Sequence, residues 1–124
     1  MPRPAAATAA QAAAVLTTAV RRAAMRLGIQ QKDLARILGV SAATVSRLGA
    51  GRTIGPDAKE GELAMLLIRV FRSLDAMVGG DEQKARAWFW ARCAPLAGVP
   101  ADLVTTVTGL VSVAGYLDAL RGRL

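Results

Sequence analysis

The stretch that most constrains the fold is residues 31–50. Ala35 is small where two helices would cross, and Gly39 can take φ > 0 in a turn between them. Leu34, Leu38, Val40, Val45 and Leu48 supply an apolar wedge that fixes the angle. These residues together specify a helix-turn-helix, with one short helix over 31–38 and a second opened by Ser41, whose hydroxyl accepts from the exposed amides of its first turn. The second helix is expected to run to about Gly49.

Helical spacing continues on both sides. Upstream, Val15, Leu16, Ala19, Val20, Ala23 and Leu27 form a ladder along one side of a helix over residues 8–27, which Gly28 stops. Pro2 and Pro4 are expected to keep the extreme terminus out of that helix. Residues 50–57 read as a linker or long turn. From 58 to 78, Leu63, Leu66, Leu67, Val70, Phe71, Leu74 and Val78 recur at i, i+3, i+4, i+7, i+8, i+11 and i+15, the strongest helical signal in the chain. Gly79-Gly80 ends it, and Asp81 can cap a further helix to about Ala91. Two more helices fit residues 101–107 and 110–120. Nothing alternates like a strand, so the chain is all-α, divided into a helix-turn-helix domain over 1–57 and a helical domain over 58–124.

Composition narrows the function. Of 124 residues, 26 are Ala, so the 53% hydrophobic content overstates the available core. There is no His and one Cys, which removes imidazole proton transfer, intramolecular disulfides and the usual zinc ligand sets. The lone thiol suits the reducing cytoplasm, and Cys93 itself reads as a small buried hydrophobe. The longest strongly apolar run, residues 63–68, is far short of the ~20 residues a membrane span needs. Arg3 and the following alanines lack the leucine-rich block of an export signal. No metal, cofactor or catalytic residue is expected, because the acids of the second half stand at helix starts or on polar faces.

Charge is uneven. Residues 1–57 hold eight basic and two acidic residues, whereas 58–124 hold eight and seven, so nearly all of the net +7 belongs to the first half. Double-stranded DNA is the partner that this half fits. With Val45 and Leu48 buried, Ser41, Ala42, Ala43, Thr44, Ser46 and Arg47 face outward from the recognition helix. Arg47 is the best base reader, since a guanidinium can bond guanine O6 and N7 together. Gln31, Lys32 and Arg52 are placed for phosphates, which set register. One such motif reads a short half-site, so a homodimer is expected.

The nearly neutral second half needs a protein partner. Trp88 belongs with Ala85 and Phe89 on one side of its helix, while Trp90 projects about 200° around the axis. Trp90 is either an anchor for a partner or packed on the far side of the long helix. Arg121 and Arg123 follow the last apolar anchor, free to reach an anionic pocket or to complement their own helix C-terminus.

Several separated motifs recur in a familiar order: Glu60-Gly-Glu-Leu, Phe71-Arg-Ser-Leu-Asp, Gly79-Gly-Asp-Glu-Gln-Lys-Ala-Arg-Ala-Trp, Leu96-Ala-Gly-Val-Pro-Ala-Asp-Leu and Gly115-Tyr-Leu-Asp-Ala-Leu-Arg-Gly. With the helix-turn-helix they make residues 20–124 resemble the Xre/MbcA/ParS antitoxins, the DNA-binding halves of type II toxin–antitoxin modules. One departure is Arg92-Cys93, where the family carries Pro-Asn. The resemblance implies a C-terminal toxin-binding domain, a cognate toxin of the NAD⁺-consuming RES type whose active-site entrance the antitoxin plugs, and repression of its own operon within a larger complex. Carried onto this chain, it implies toxin contacts at Tyr116, Asp118, Arg121, Gly122, Arg123 and Leu124. The competing expectation is a stand-alone dimeric helix-turn-helix repressor.

Overall fold

The computed structural model describes the backbone of residues 4–122 and the side chains of residues 8–122. Seven α-helices follow in order: α1 Pro4–Leu27, α2 Gln31–Leu38, α3 Ala42–Arg47, α4 Lys59–Met77, α5 Glu82–Phe89, α6 Pro100–Leu103 and α7 Val107–Gly122, with a 3₁₀ turn Ala94–Leu96 before α6. Among the described residues there is no strand, only isolated bridges pairing Leu48 with Arg52 and Cys93 with Gly98.

Helix ends follow local chemistry. Gly28 takes φ 74°, and the next amide, that of Ile29, returns to the Ala24 carbonyl at 2.8 Å, closing α1. Gly39 takes φ 69° and closes α2 in the same way, sending the Val40 amide to Ala35 at 3.0 Å. Ser41 Oγ accepts from the Thr44 amide at 3.0 Å, and Asp81 Oδ1 accepts from the Lys84 amide at 3.1 Å, so both expected caps are in place.

Four expectations need correction. α1 includes Pro4, because a proline at the first helical position forfeits only an amide that has no intrahelical partner. The penultimate helix is a single turn, and α7 begins at Val107 rather than Leu110, because Thr106 Oγ1 accepts from the Gly109 amide at 3.0 Å and starts the helix early. α5 stops at Phe89 instead of continuing to Ala91. Val15, expected on the inward ladder, is 69% exposed; the buried face of α1 is Leu16, Val20, Ala23, Ala24 and Leu27.

The long helix α4 is the centre of the molecule, packing most extensively against α7 on one side and α1 on the other. Its buried Leu63, Ala64, Leu67, Val70 and Leu74 belong to one continuous core with Leu27 and Val20 of α1, Leu38 of α2, Phe89 of α5 and Leu110, Val113 and Leu117 of α7. The 50–57 segment is not a loose tether. Ile54 is buried, and its amide donates at 2.8 Å to Thr17 Oγ1, whose hydroxyl in turn donates to the Ala13 carbonyl at 2.7 Å. The expected division at 57/58 therefore falls at the entry to a helix that both halves share.

Candidate DNA and toxin interfaces

The helix-turn-helix is built as its residues require. Leu34, Ala35, Leu38, Val45 and Leu48 are buried, and Val40 is half-buried against them, so α3 is fixed on α2 by its inner side. Ala42, Ala43, Ser46 and Arg47 are exposed on its outer side. Ser41 is exposed and Thr44 half-buried, their hydroxyls 2.9 Å apart, while Ser46 Oγ donates to the Ala43 carbonyl at 2.8 Å. Arg47 stands at the last position of α3 with its side chain in solvent. Gln31 and Lys32 open α2 on the exposed surface. Arg52 is exposed beyond a tight turn in which its own amide reaches the Arg47 carbonyl at 3.3 Å and its carbonyl accepts from Gly49 at 3.0 Å.

Sequence reasoning missed Arg21 here. Its guanidinium lies over Gly49, which has φ 80°, so closely that a side chain at 49 would collide with it. That contact brings a cation from α1 to the end of α3, across a gap in sequence that no local spacing reveals. Arg26 is spent differently, stacked 5.7 Å from the Phe71 ring centroid.

The candidate protein contacts fall into separate groups. Trp90 is 45% exposed, and its indole Nε1 donates to the Leu27 carbonyl at 2.7 Å. Beside it, Arg86 donates from Nε to the Arg26 carbonyl at 2.9 Å and from Nη2 to the Met25 carbonyl at 2.8 Å. Two side chains thus bind three carbonyls at the C-terminal end of α1, where the helix runs out of its own amides; that of Met25 also accepts from the Gly28 amide at 3.2 Å. Trp90 is thus anchored on the end of α1, with its ring edge-on to Phe89, and part of it stays in solvent.

Tyr116 is half-buried and stacks on Trp88, centroids 6.4 Å apart and planes 8° from parallel. Asp118 lies on the same helix over α4, ion-paired with Arg69 and accepting from Ser73 Oγ at 3.1 Å. Arg121 Nη1 donates to the same hydroxyl at 3.3 Å. Ser73 is fully buried, so this network fastens the last turns of α7 to α4. Gly122 ends α7 in solvent, and Arg123 and Leu124 lie outside the described residues. Cys93, at the departure from the family pattern, is buried as expected, its backbone paired with Gly98.

Residues 6–69 match the antitoxin Xre-like helix-turn-helix domain family, and residues 73–123 match the antitoxin Xre/MbcA/ParS C-terminal toxin-binding domain family. The chain is an Xre-family antitoxin. No curated protein matches it. The two matches meet within α4, the element that joins α1 to α7. The antitoxin therefore has a DNA-binding helix-turn-helix and a toxin-binding domain, and neither is an enzyme family. Among the described residues no helix is long and apolar enough to cross a membrane.

Proposed function

We propose that the antitoxin neutralises a cytoplasmic RES-domain, NAD-consuming toxin by covering its active-site entrance with the end of α7, and that as a homodimer it represses its own operon through α3. The carrying observation is the exposed outer side of α3, with Ala42, Ala43, Ser46 and Arg47 displayed on a helix whose inner side is locked by Val45 and Leu48. Arg47 reads a guanine edge, and the alanines and the Thr44 methyl meet thymine methyls. Ser41, Gln31, Lys32 and Arg52 contact phosphates. Two copies place their recognition helices about one DNA turn, ~34 Å, apart. On the other side, Trp90, Tyr116, Asp118, Arg121 and Gly122, continued by Arg123 and Leu124, contact the toxin. The match of residues 73–123 to a toxin-binding family supports a toxin partner, and the RES type is taken from the resemblance to the Xre/MbcA/ParS antitoxins.

The two activities are tested in one pair of variants. Arg47→Ala is expected to weaken operator binding in a mobility-shift titration by ~10-fold or more, consistent with the ~1–3 kcal/mol of a bidentate base contact, while still protecting cells from the toxin. Deleting residues 121–124 is expected to abolish protection and leave operator binding intact. Full protection by the shortened chain would rule out the plug, whereas failure of the full-length chain to protect would favour a stand-alone repressor.

A further inference from the structure

A groove of about 790 Å³ runs between α1 and α4. Its apolar walls include Ala12, Val15 and Leu16 on one side and Met65 and Ile68 on the other. Val15 is 69% exposed and Met65 45% exposed, so two large apolar side chains line the same groove with little to cover them. On α1 the lining extends from Thr8 to Ala19, about 16 Å at 1.5 Å per residue, or three helical turns. An open channel of that length fits the apolar stripe of a helix rather than enclosing a small ligand.

Charge selects the occupant. Arg69, Arg72 and Arg121 line the groove, and no carboxylate does. Arg69 is matched by Asp118 and Arg121 leans on Ser73, but Arg72 is exposed with no ion-pair partner among the described residues. The lining of a second copy of this chain carries no acid and so offers these arginines no counter-charge. Continuity selects the source, since Arg121 belongs to the residues matched to the toxin-binding family.

We infer that the α1–α4 groove takes an acidic amphipathic helix of the toxin, its apolar side on Val15 and Met65 and its carboxylates against Arg72 and Arg121. The toxin interface then extends beyond the C-terminal domain onto α1. The inference rests on the toxin-binding reading above.

The test uses the full-length antitoxin and its cognate toxin, silenced in its active site, with affinity measured by calorimetry. Val15→Glu and Met65→Glu are each expected to weaken toxin binding about tenfold or more, the loss typical of a central interface residue. Arg72→Glu is expected to weaken it and to flatten its salt dependence. Met25→Glu, equally exposed on α1 but outside the groove, is expected to leave it unchanged. Melting temperature and operator binding of the groove variants report that they fold. Wild-type affinity in both Val15→Glu and Met65→Glu would overturn the inference, as would an equal loss in Met25→Glu. So would a dimer-to-monomer change on light scattering with toxin affinity intact, which would make the groove a self-interface. If the unsubstituted antitoxin fails to bind the toxin, the toxin reading itself falls, and this inference with it. As a measurement that does not depend on a buried charge, Val15→Cys carrying a benzophenone is expected to cross-link to an acidic helix of the toxin. A cross-link only to another antitoxin copy, or none, would overturn the proposal.

Discussion

Two glycines hold the same relation to their surroundings, each with backbone lying where a side chain would sit. Gly61 is the third residue of α4, and a Cβ there would collide with the Gly55 carbonyl; Gly109 is the third residue of α7, and a Cβ there would collide with the Leu103 carbonyl. In each case a turn passes directly over the first turn of the helix that follows it. Alanine at either position is expected to lower the melting temperature, at about 1–3 kcal/mol each, the cost of forcing atoms into a packed site. Gly115 is the contrast. It sits mid-helix on the exposed side of α7, and a Cβ there would meet nothing within 4 Å, so Gly115→Ala is expected to stabilise by about 0.5–1 kcal/mol, read in the same melts. The residues of the helix-turn-helix were legible because their demands are local: a small residue, a turn glycine and a wedge within twenty positions. Gly61 and Gly109 were not, because an overlying carbonyl leaves no pattern in the side chains around it.

At the scale of elements, periodicity located every long helix, but side-chain caps decided where several begin. Thr106 moved the start of α7 ahead of its first buried leucine, and a run of alanines left the facing of α1 ambiguous between Val15 and Leu16. The end of α1, closed locally by Gly28, is also held by partners some sixty residues away. Arg86 and Trp90 bind the carbonyls of Met25, Arg26 and Leu27, immediately before the turn into the helix-turn-helix. Trp90→Phe keeps the ring and removes the donor, and is expected to lower the urea midpoint by the equivalent of about 0.5–1.5 kcal/mol. An unchanged midpoint would mean that water replaces the indole at the Leu27 carbonyl without loss.

For the whole molecule, the asymmetry of charge along the chain predicts how the two interactions respond to salt. Operator affinity is expected to fall steeply, with a log–log slope of about −0.9 for each phosphate neutralised. Lys32→Ala should reduce that slope by about one while leaving the preference among operator sequences unchanged, whereas Arg47→Ala should relax the preference itself. Filter-binding titrations across a salt series separate the two. The charge split pointed to DNA-binding and toxin-binding halves, but it could not reveal that they share a core, since that depends on which stripes of α4 meet α1 and α7. The sharing has a practical result for anyone cutting the chain. A protease nick within residues 50–57 would sever one peptide bond yet leave Ile54, Thr17 and the α1–α4 contact in place, so the two fragments should migrate together under native conditions and part only in denaturant. Neither piece, expressed alone, would have a covered core. The antitoxin is thus suited to reassembly from fragments, and poorly suited to study as isolated halves.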